Sequence, residues 1–166
     1  MNKELVNAAE KLGELLREKN VCVAAAESCT SGLISSALGA AGDSSSYFTS
    51  GFVTYTNSAK HRILHVSEKT LRVHTAVSEA TAREMATGAK EVSGEAVSIA
   101  VTGYAGPDGG EDGTPAGTVW FGWGLPDAKV YSLQRHFTGD CEEVVNQAAL
   151  FALEHLTELL GGNNCQ

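Results

Sequence analysis

The sequence predicts an α/β fold with a largely parallel sheet, and three observations support this prediction. Two short continuous apolar runs, residues 21–26 and 96–102, are typical of strands that are buried on both faces. Segments with a helical spacing of apolar residues separate these strands. Two further strands are predicted near residues 117–123 and 129–137, and they could form a hairpin that makes the sheet mixed. Strands that alternate with helices indicate parallel pairing, because each crossover helix returns the chain to the same edge of the sheet.

The chain is predicted to begin with helix, strand and helix. The first helix, over residues 3–19, is indicated by six apolar residues at helical spacing: Leu5, Val6, Ala9, Leu12, Leu15 and Leu16. The strand at 21–26 then leads into a polar turn at 27–32. A short helix over 33–40 follows this turn. We expect chemistry at such a turn, because α/β proteins bind ligands where a strand passes into a helix.

The middle of the chain is predicted to hold a strand and two helices. Residues 47–56 alternate and are rich in aromatic and β-branched types, which favours a strand. Asn57 is predicted to cap the helix over 58–64. Ser78 is predicted to cap the next helix, over 79–92.

The last part of the chain contains a glycine-rich loop, the predicted hairpin and a long helix. Six glycines lie in the loop: Gly103, Gly106, Gly109, Gly110, Gly113 and Gly117. Asp140 with Glu143 three residues later predicts a capping box at the start of the last helix. The glycine pair Gly161–Gly162 is expected to end that helix. The tail at 163–166 is expected to be loosely ordered.

Composition and charge narrow the function classes. The chain has 166 residues, the size of one ordinary domain, which we expect to span residues 1–166. Its net charge of −8 disfavours a general nucleic-acid binder, because such proteins carry a basic face. No apolar run approaches the ~20 residues of a membrane span and no targeting segment is visible, so we expect a cytoplasmic protein without a membrane or nucleic-acid partner. The four cysteines show no C-x-x-C pair, which disfavours a zinc ribbon and favours reduced thiols.

The polar turn Glu27–Gly32 is the first candidate site. It lies just before a predicted helix start, where backbone N–H groups bind anions or an oxyanion. Ser28, Thr30 and Ser31 add hydroxyl groups, and Gly32 lets a ligand approach the backbone. Serine and threonine are also common helix caps, so the pattern is equally typical of a well-capped helix.

The second candidate combines a triple serine with a lysine. Ser44–Ser46 precede the strand at 47–56, and Lys60 falls in the first turn of the next helix. A serine hydroxyl becomes a nucleophile when a base takes its proton, and lysine is such a base when burial or a nearby cation lowers its pKa. The positive end of the helix dipole favours a neutral amine at Lys60. On the residues alone, a serine loop and a solvated lysine are the more common outcome.

Three further features are weaker candidates. The loop Thr102–Gly110 follows a buried strand and could turn N–H groups toward a phosphate, but it matches neither a P-loop nor a dinucleotide fingerprint and is also typical of a plain loop. Cys29 is an alternative nucleophile, since a helix N-terminus lowers the pKa of a thiol, although buried inert cysteine is more common. His61 and His65 share a helix face near Glu68 without a clear third ligand, so we expect no metal site.

Five segments in this order closely resemble the CinA C-terminal domain family: AESCTSG, FTSGFVTYTNSAK, HTAVSEATAREMATGA, VTGYAGPDGG and PAGTVWFGW. The resemblance covers roughly residues 5–160 and looks like a stand-alone form of the domain. It implies a three-layer α/β/α fold and a homodimer. Family members with activity deamidate nicotinamide mononucleotide to nicotinate mononucleotide and ammonia, which recycles pyridine nucleotides. The resemblance implies a small pyridine-nucleotide substrate and neither a metal nor a cofactor.

The resemblance also implies roles for individual residues. The family uses a Ser–Lys dyad, and alignment on Gly51 makes Ser45 the nucleophile and Lys60 the base. Tyr55 and Ser28 match further active-site positions, where they would orient Lys60 or relay protons. The oxyanion is expected at N–H groups of the predicted helix start that follows Ser28. The residues expected to bind the substrate lie in two segments: Thr30, Ser31, Gly32, Thr102, Gly103 and Gly106.

Four positions depart from the family pattern. Ser31 and Asp43 stand where the family usually has glycine, Tyr104 replaces isoleucine, and Cys141 replaces arginine. The last departure matters most, because an arginine at a helix start binds phosphate with a bidentate fork and cysteine does not. Two alternatives therefore stay open. One is a divergent, weak or inactive member that binds a nucleotide or a protein partner, and the other is a hydrolase of a different amide or ester that uses Cys29 or Ser45.

Overall fold

The computed structural model describes residues 1–162, which form a five-stranded sheet with helices on both faces. The strands are Val23–Glu27 (β1), Phe48–Val53 (β2), Val97–Gly103 (β3), Thr118–Gly124 (β4) and Val130–His136 (β5). The helices are Lys3–Lys19 (α1), Leu33–Ala40 (α2), Asn57–Leu64 (α3), Glu68–His74 (α4), Glu79–Ser93 (α5) and Cys141–Gly161 (α6). A single 3₁₀ turn, Ser44–Ser46, precedes β2.

The strands lie in the order β2-β1-β3-β4-β5. β1 pairs in parallel with both β2 and β3, whereas β4 is antiparallel to β3 and to β5. The predicted α/β class, the mixed sheet and the hairpin between the last two strands are therefore confirmed. The register decides where the site forms: Glu27 pairs with Val53 of β2 and with Val101 of β3. The carboxyl ends of three parallel strands thus meet at one edge of the sheet, called here the carboxyl edge.

Two apolar layers cover the sheet, which confirms the three-layer arrangement. Successive side chains of a strand point to opposite faces, and in β1 all five residues are buried. Ala25 packs with the apolar residues of α1, α2 and α6, whereas Ala24 packs with those of α3, α4 and α5. Trp123 is the largest side chain in the first layer, and its indole N–H donates to Ala152 O of α6 at 3.0 Å. A core closed in this way holds the carboxyl edge rigid.

Two of the three predicted helix caps are present in the structure. Ser78 caps α5 by accepting from the Thr81 N–H, and Asp140 forms the predicted capping box with Glu143 at the start of α6. The prediction of Asn57 as a cap was wrong by one residue. Thr56 has the extended backbone that a cap requires, and its hydroxyl accepts from the Ala59 N–H at 3.1 Å. Gly162 follows α6 as predicted, and the expectation for the tail concerns residues 163–166, which lie outside the described part of the chain.

The helix α4 was not predicted. It spans seven residues, too few for a clear periodic pattern. The Ser67 hydroxyl caps its start by accepting from the Lys69 and Thr70 N–H groups. A tertiary contact adds to this cap: the Glu84 carboxylate of α5 accepts from the Ser67 N–H at 2.8 Å and from the Thr70 hydroxyl at 2.6 Å. Ser67 before Glu68 is a local signal of a helix start, but the helix is too short to add a clear apolar period, and the contact with Glu84 leaves no local signal.

Candidate active site

The candidate active site lies at the carboxyl edge, where β1 and β2 end side by side. Ser28 follows β1 directly, and Lys60 belongs to the first turn of α3, shortly after β2. The parallel register brings the two side chains together, and Lys60 Nζ lies 2.9 Å from Ser28 Oγ. A serine and a lysine at hydrogen-bonding distance are the minimal arrangement for a nucleophile and its general base.

Lys60 is almost completely buried, with 1% of its surface exposed. Its Nζ lies 3.0 Å from Thr54 O and 3.3 Å from Tyr55 O, in addition to Ser28 Oγ. Desolvation penalises the charged form and lowers the pKa of Lys60 from 10.5 to about 8. The sequence predicted a neutral amine from the helix dipole, whereas in the structure the main cause is burial.

As a charged ammonium Lys60 donates its three N–H groups to these three oxygens, and the same arrangement also suits the neutral amine. A neutral amine carries two N–H donors and one lone pair, and the carbonyl oxygens of Thr54 and Tyr55 accept the two hydrogens. The lone pair is then left for the proton of the Ser28 hydroxyl, the third partner. In this state Ser28 donates and Lys60 accepts, which is the geometry that proton abstraction needs.

Ser45 lies elsewhere in the chain, and the expected contact with Lys60 is not formed within one chain. The 3₁₀ turn that holds Ser45 precedes β2, and Ser46 O accepts from the Cys22 thiol, just before β1 begins. Ser45 is therefore at the amino edge of the sheet, and the length of β2, about 17 Å for six extended residues, separates it from Lys60. The separation has a simple cause: Lys60 follows β2, whereas Ser45 precedes it.

Tyr55 is at the site through its backbone. Its carbonyl oxygen accepts from Lys60, but its side chain points outward and the residue is 64% exposed. Within residues 1–162 the phenol hydroxyl makes no hydrogen bond. The structure thus assigns Tyr55 a contact that orients Lys60, while a proton-relay role of the phenol stays a prediction.

The helix start after Ser28 is already occupied by a carboxylate. Glu27 is fully buried, and its oxygens accept from the Gly32, Ile34 and Ser35 N–H groups. The Thr30 hydroxyl, expected to bind substrate, also donates to Glu27, at 2.7 Å. The start of α2 is therefore not free to bind an external anion, and the predicted anion site at this helix start is wrong for these groups.

Within residues 1–162 two N–H groups of the same turn, those of Cys29 and Thr30, donate to no carbonyl or carboxylate, and only the second belongs to the segment Thr30–Gly32. Ser31 N donates to Ser28 O at 3.0 Å and Gly32 N donates to Glu27, but the Thr30 N–H has no acceptor within residues 1–162. It lies two residues after Ser28, next to the Ser28–Lys60 pair. Of the N–H groups in the segment Thr30–Gly32, only that of Thr30 is therefore available as an oxyanion donor.

The loop after β3 forms one wall of a cavity at the same edge. The cavity has a volume of about 520 Å³ and is lined by Gly106, Pro107 and the start of α6. Asp140, Cys141 and Glu142 of that helix start also line it, and the Cys141 thiol donates to Gly106 O at 2.7 Å. Its lining residues include two carboxylates and no lysine or arginine. The Gly106 carbonyl therefore accepts from a thiol at the position where the resemblance implies an arginine.

Two other residues of this loop have structural partners. The Thr102 hydroxyl donates to Ala76 O at 2.8 Å, so it ties β3 to the segment before α5. Gly103 packs so closely on β4 that a Cβ would lie 2.8 Å from Thr118 O. These contacts shape the carboxyl edge, and substrate contacts by Thr102, Gly103 and Gly106 stay predictions.

The alternative chemistries find little support in the geometry. Burial raises the pKa of the Cys29 thiol to about 12, which opposes a thiolate nucleophile. His61 contacts Val66 O and Glu68, and no group of three metal-binding side chains comes together in the part of the chain that the structure describes.

Between residues 1 and 162 no helix has the length and apolar character that a membrane crossing needs.

Two residues of the site, Glu27 and Thr54, were given no role from the sequence, although Glu27 lies in the polar turn identified there. Glu27 is a charged residue at the end of a fully buried strand, and this is the signal that could have revealed it. Thr54 carried no such signal. Its N–H donates to Glu27 O, its carbonyl accepts from Lys60, and its buried hydroxyl has no partner within residues 1–162.

Comparison with known proteins places the chain in a family. The family model described as CinA C-terminal domain matches residues 5–160. Protein YdeJ of Escherichia coli (strain K12) is 50% identical over 154 residues, 93% of this chain and 89% of that protein. Nicotinamide-nucleotide amidohydrolase PncC of Enterobacter agglomerans is 46% identical over 152 residues, 92% of this chain and 93% of that protein.

Solved structures agree with the sequence comparisons. The crystal structure of a competence-damaged protein (CinA) superfamily protein from Escherichia coli matches with a TM-score of 0.92 at 48% identity, over 96% of this chain and 92% of that one. A CinA superfamily protein from Klebsiella pneumoniae matches with a TM-score of 0.93 at 43% identity, over 97% and 99% of the two chains. The chain therefore belongs to the CinA C-terminal domain family.

Proposed function

We propose that this protein is an amidohydrolase that converts nicotinamide mononucleotide to nicotinate mononucleotide and ammonia, in the recycling of pyridine nucleotides. The observation that carries the proposal is the buried Lys60 amine, 2.9 Å from Ser28 Oγ. Relatives named nicotinamide-nucleotide amidohydrolase over 92% of this chain support the choice of substrate. The resemblance further favours a homodimer, which sedimentation analysis of the purified protein would test.

In the proposed mechanism Ser28 is the nucleophile and Lys60 the base. Ser28 Oγ forms a bond to the amide carbon while neutral Lys60 takes the hydroxyl proton. The free Thr30 N–H stabilises the oxyanion, a contribution typically worth ~3 kcal/mol per donor. Lys60 then passes the proton to the nitrogen, the C–N bond breaks and ammonia leaves. Water hydrolyses the acyl-enzyme with Lys60 again as base, which restores Ser28.

The resemblance implies Ser45 as the nucleophile, and its position in the fold limits how it can act. Because the length of β2 separates Ser45 from Lys60 of its own chain, Ser45 would have to meet Lys60 of a second copy. The geometry within one chain supports Ser28 instead. The two assignments predict different variants to be inactive: Ser28→Ala in one case and Ser45→Ala in the other.

The substrate is tested directly by measuring ammonia. We expect the purified protein to release one ammonia per nicotinate mononucleotide formed from millimolar nicotinamide mononucleotide, as followed by a coupled glutamate dehydrogenase assay and by chromatography of the product. The Cys29→Ala variant serves as control and should retain the activity, since its thiol is protonated at neutral pH. If the wild-type protein forms no ammonia, the proposed substrate is incorrect.

A second candidate function is that of a divergent member with weak or no deamidase activity that binds a nucleotide or a protein partner. The observation that favours it is the cavity at the start of α6, which offers two carboxylates and the Cys141 thiol where a phosphate would need a cation. A nucleotide phosphate is repelled by such a lining, because like charges raise each other's free energy in a partly buried site.

The Cys141→Arg variant should separate the two candidates. A guanidinium at this helix start adds a charge-assisted hydrogen bond to phosphate, so kcat/KM for nicotinamide mononucleotide should rise about tenfold or more. Cys141→Ser is the matched control, because it removes the thiol without adding a cation. A wild-type protein that is inactive until arginine is introduced would identify the divergent member. Equal activity of all three proteins would show that this position does not contact the phosphate.

A further inference from the structure

Glu27 is a carboxylate buried inside the protein without a cation beside it. The residue is fully buried, and within residues 1–162 no lysine, arginine or histidine forms an ion pair with it. Its two oxygens instead accept five hydrogen bonds of 2.6–3.1 Å. The donors come from both sides of the helix start: Thr30 Oγ1, Gly32 N, Ile34 N, Ser35 N and Ser35 Oγ.

The same residue also contacts the segment that holds the lysine. Glu27 O accepts from the Thr54 N–H at 2.9 Å, and Thr54 O accepts from Lys60 Nζ at 3.0 Å. Ser28 follows Glu27 directly in the chain. The carboxylate therefore determines the path of the turn that carries Ser28, while the carbonyl of the same residue determines where an acceptor of Lys60 lies.

An ordinary helix cap would not need a buried charge. The starts of α3 and α5 are capped by the hydroxyls of Thr56 and Ser78, each of which accepts from one N–H group. Burying a carboxylate is far more costly than burying a hydroxyl, unless several donors satisfy it. Five donors do so here, and they lock the turn from Glu27 to Ser35 more completely than a hydroxyl could.

We propose that Glu27 is a positioning residue, which holds Ser28 Oγ and Lys60 Nζ at reacting distance through its five carboxylate hydrogen bonds and its backbone contact with Thr54. The inference rests on the proposed roles of Ser28 and Lys60. Glu27 itself does not touch the substrate in this role. It acts through the turn and through Thr54, so its loss should affect the reacting geometry more than substrate binding.

The Glu27→Gln variant tests this role. Glutamine has nearly the same shape, but its NH₂ group replaces one accepting oxygen and faces a donor. We expect kcat to fall about a hundredfold, as a small misplacement of reacting groups does, while KM stays within about threefold. We also expect the pKa of Lys60, measured by NMR titration of its labelled Cε and Nζ, to move up toward the ordinary value for lysine, because a displaced turn admits water and reduces the desolvation that lowers this pKa.

Two further variants make the test decisive. Glu84→Gln is the matched control, since Glu84 also accepts from an N–H and a hydroxyl at a helix start, but on α4. It should lower stability without changing kcat or the pKa of Lys60. Should Glu27→Gln fail to fold, Ser35→Ala removes only one of the five hydrogen bonds, and a smaller change of both readouts in the same direction is expected.

The proposal is overturned if the folded Glu27→Gln protein, or Ser35→Ala in its place, keeps the wild-type kcat and the wild-type pKa of Lys60. An equal effect of Glu84→Gln on both readouts would also overturn it, because the effect would then be one of general stability. If the wild-type protein proves to have no deamidase activity, the proposed function fails, but the pKa comparison among the variants still decides the role of Glu27.

Discussion

The Lys60→Met variant is expected to lose at least about a thousandfold in kcat for deamidation, because the only amine that contacts Ser28 in the described part of the chain is removed. Methionine has a similar length and is apolar, so it fills the same buried space without a base. Lys90→Met is the matched control. Lys90 also donates to a backbone carbonyl, Leu125 O, but it belongs to α5 away from the carboxyl edge, and its loss should leave kcat unchanged.

The same role predicts the pH dependence of the wild-type activity. Lys60 acts as a base only in its neutral form, and its pKa is lowered to about 8. At pH 7 about a tenth of the molecules carry the neutral amine. kcat/KM should therefore rise about tenfold between pH 6 and pH 7 and level off above pH 8. A flat profile over this range would show that no group with this pKa takes the proton.

Lys60 should also make stability depend on pH. In the folded protein its pKa is depressed from 10.5 to about 8, so between these values the unfolded chain holds a proton that the folded chain has released. Unfolding then takes up a proton, and raising the pH through this window stabilises the fold, by up to about 3 kcal/mol. Urea unfolding at pH 8 and pH 10 should show this gain in the wild-type protein and not in Lys60→Met. Equal gains in both proteins would contradict a depressed pKa.

Much of the fold was predictable because its strongest patterns are local. The runs at β1 and β3 are apolar on both faces, since helices cover both sides of a central parallel strand. The capping box at Asp140 and the alternation of β2 are likewise encoded in a few neighbouring residues. The exception is α4, a helix of seven residues whose start combines a local cap at Ser67 with the Glu84 carboxylate of another helix, and a short window of sequence contains only the cap.

The site was predictable in its residue types and not in their pairing. Ser28 and Lys60 were both identified as candidates, but their contact depends on the parallel register of β1 and β2, which brings two carboxyl ends to one edge. The order of elements already contained part of this answer: Ser45 precedes the predicted strand and Lys60 follows it, so the strand itself separates them. The depressed pKa of Lys60 depends on burial, which only the assembled fold supplies.

The Ser28→Ala variant should be as inactive as Lys60→Met, with kcat reduced at least about a thousandfold, because it removes the nucleophile of the proposed mechanism. Ser45→Ala should stay within about threefold of wild type, since Ser45 does not reach Lys60 of its own chain. Quenching a reaction with a slow ester analogue, followed by peptide mass spectrometry, should find the acyl group on the peptide that contains Ser28. An acyl group on Ser45, together with an inactive Ser45→Ala protein, would reverse the assignment.

Mixing inactive proteins would then tell whether the nucleophile and Lys60 belong to one chain or to two. If Ser28 and Lys60 act within one chain, a refolded mixture of Ser28→Ala and Lys60→Met has no complete pair in any molecule and stays inactive. If Ser45 of one copy instead served Lys60 of another, a mixture of Ser45→Ala and Lys60→Met would regain activity, because each mixed dimer would contain one intact pair. The first mixture cannot regain activity under the geometry of this fold, since the contact between Ser28 and Lys60 forms across neighbouring strands of the same sheet. Recovered activity in that mixture would require an exchange of strands or helices between copies, and it would place the active site between two chains.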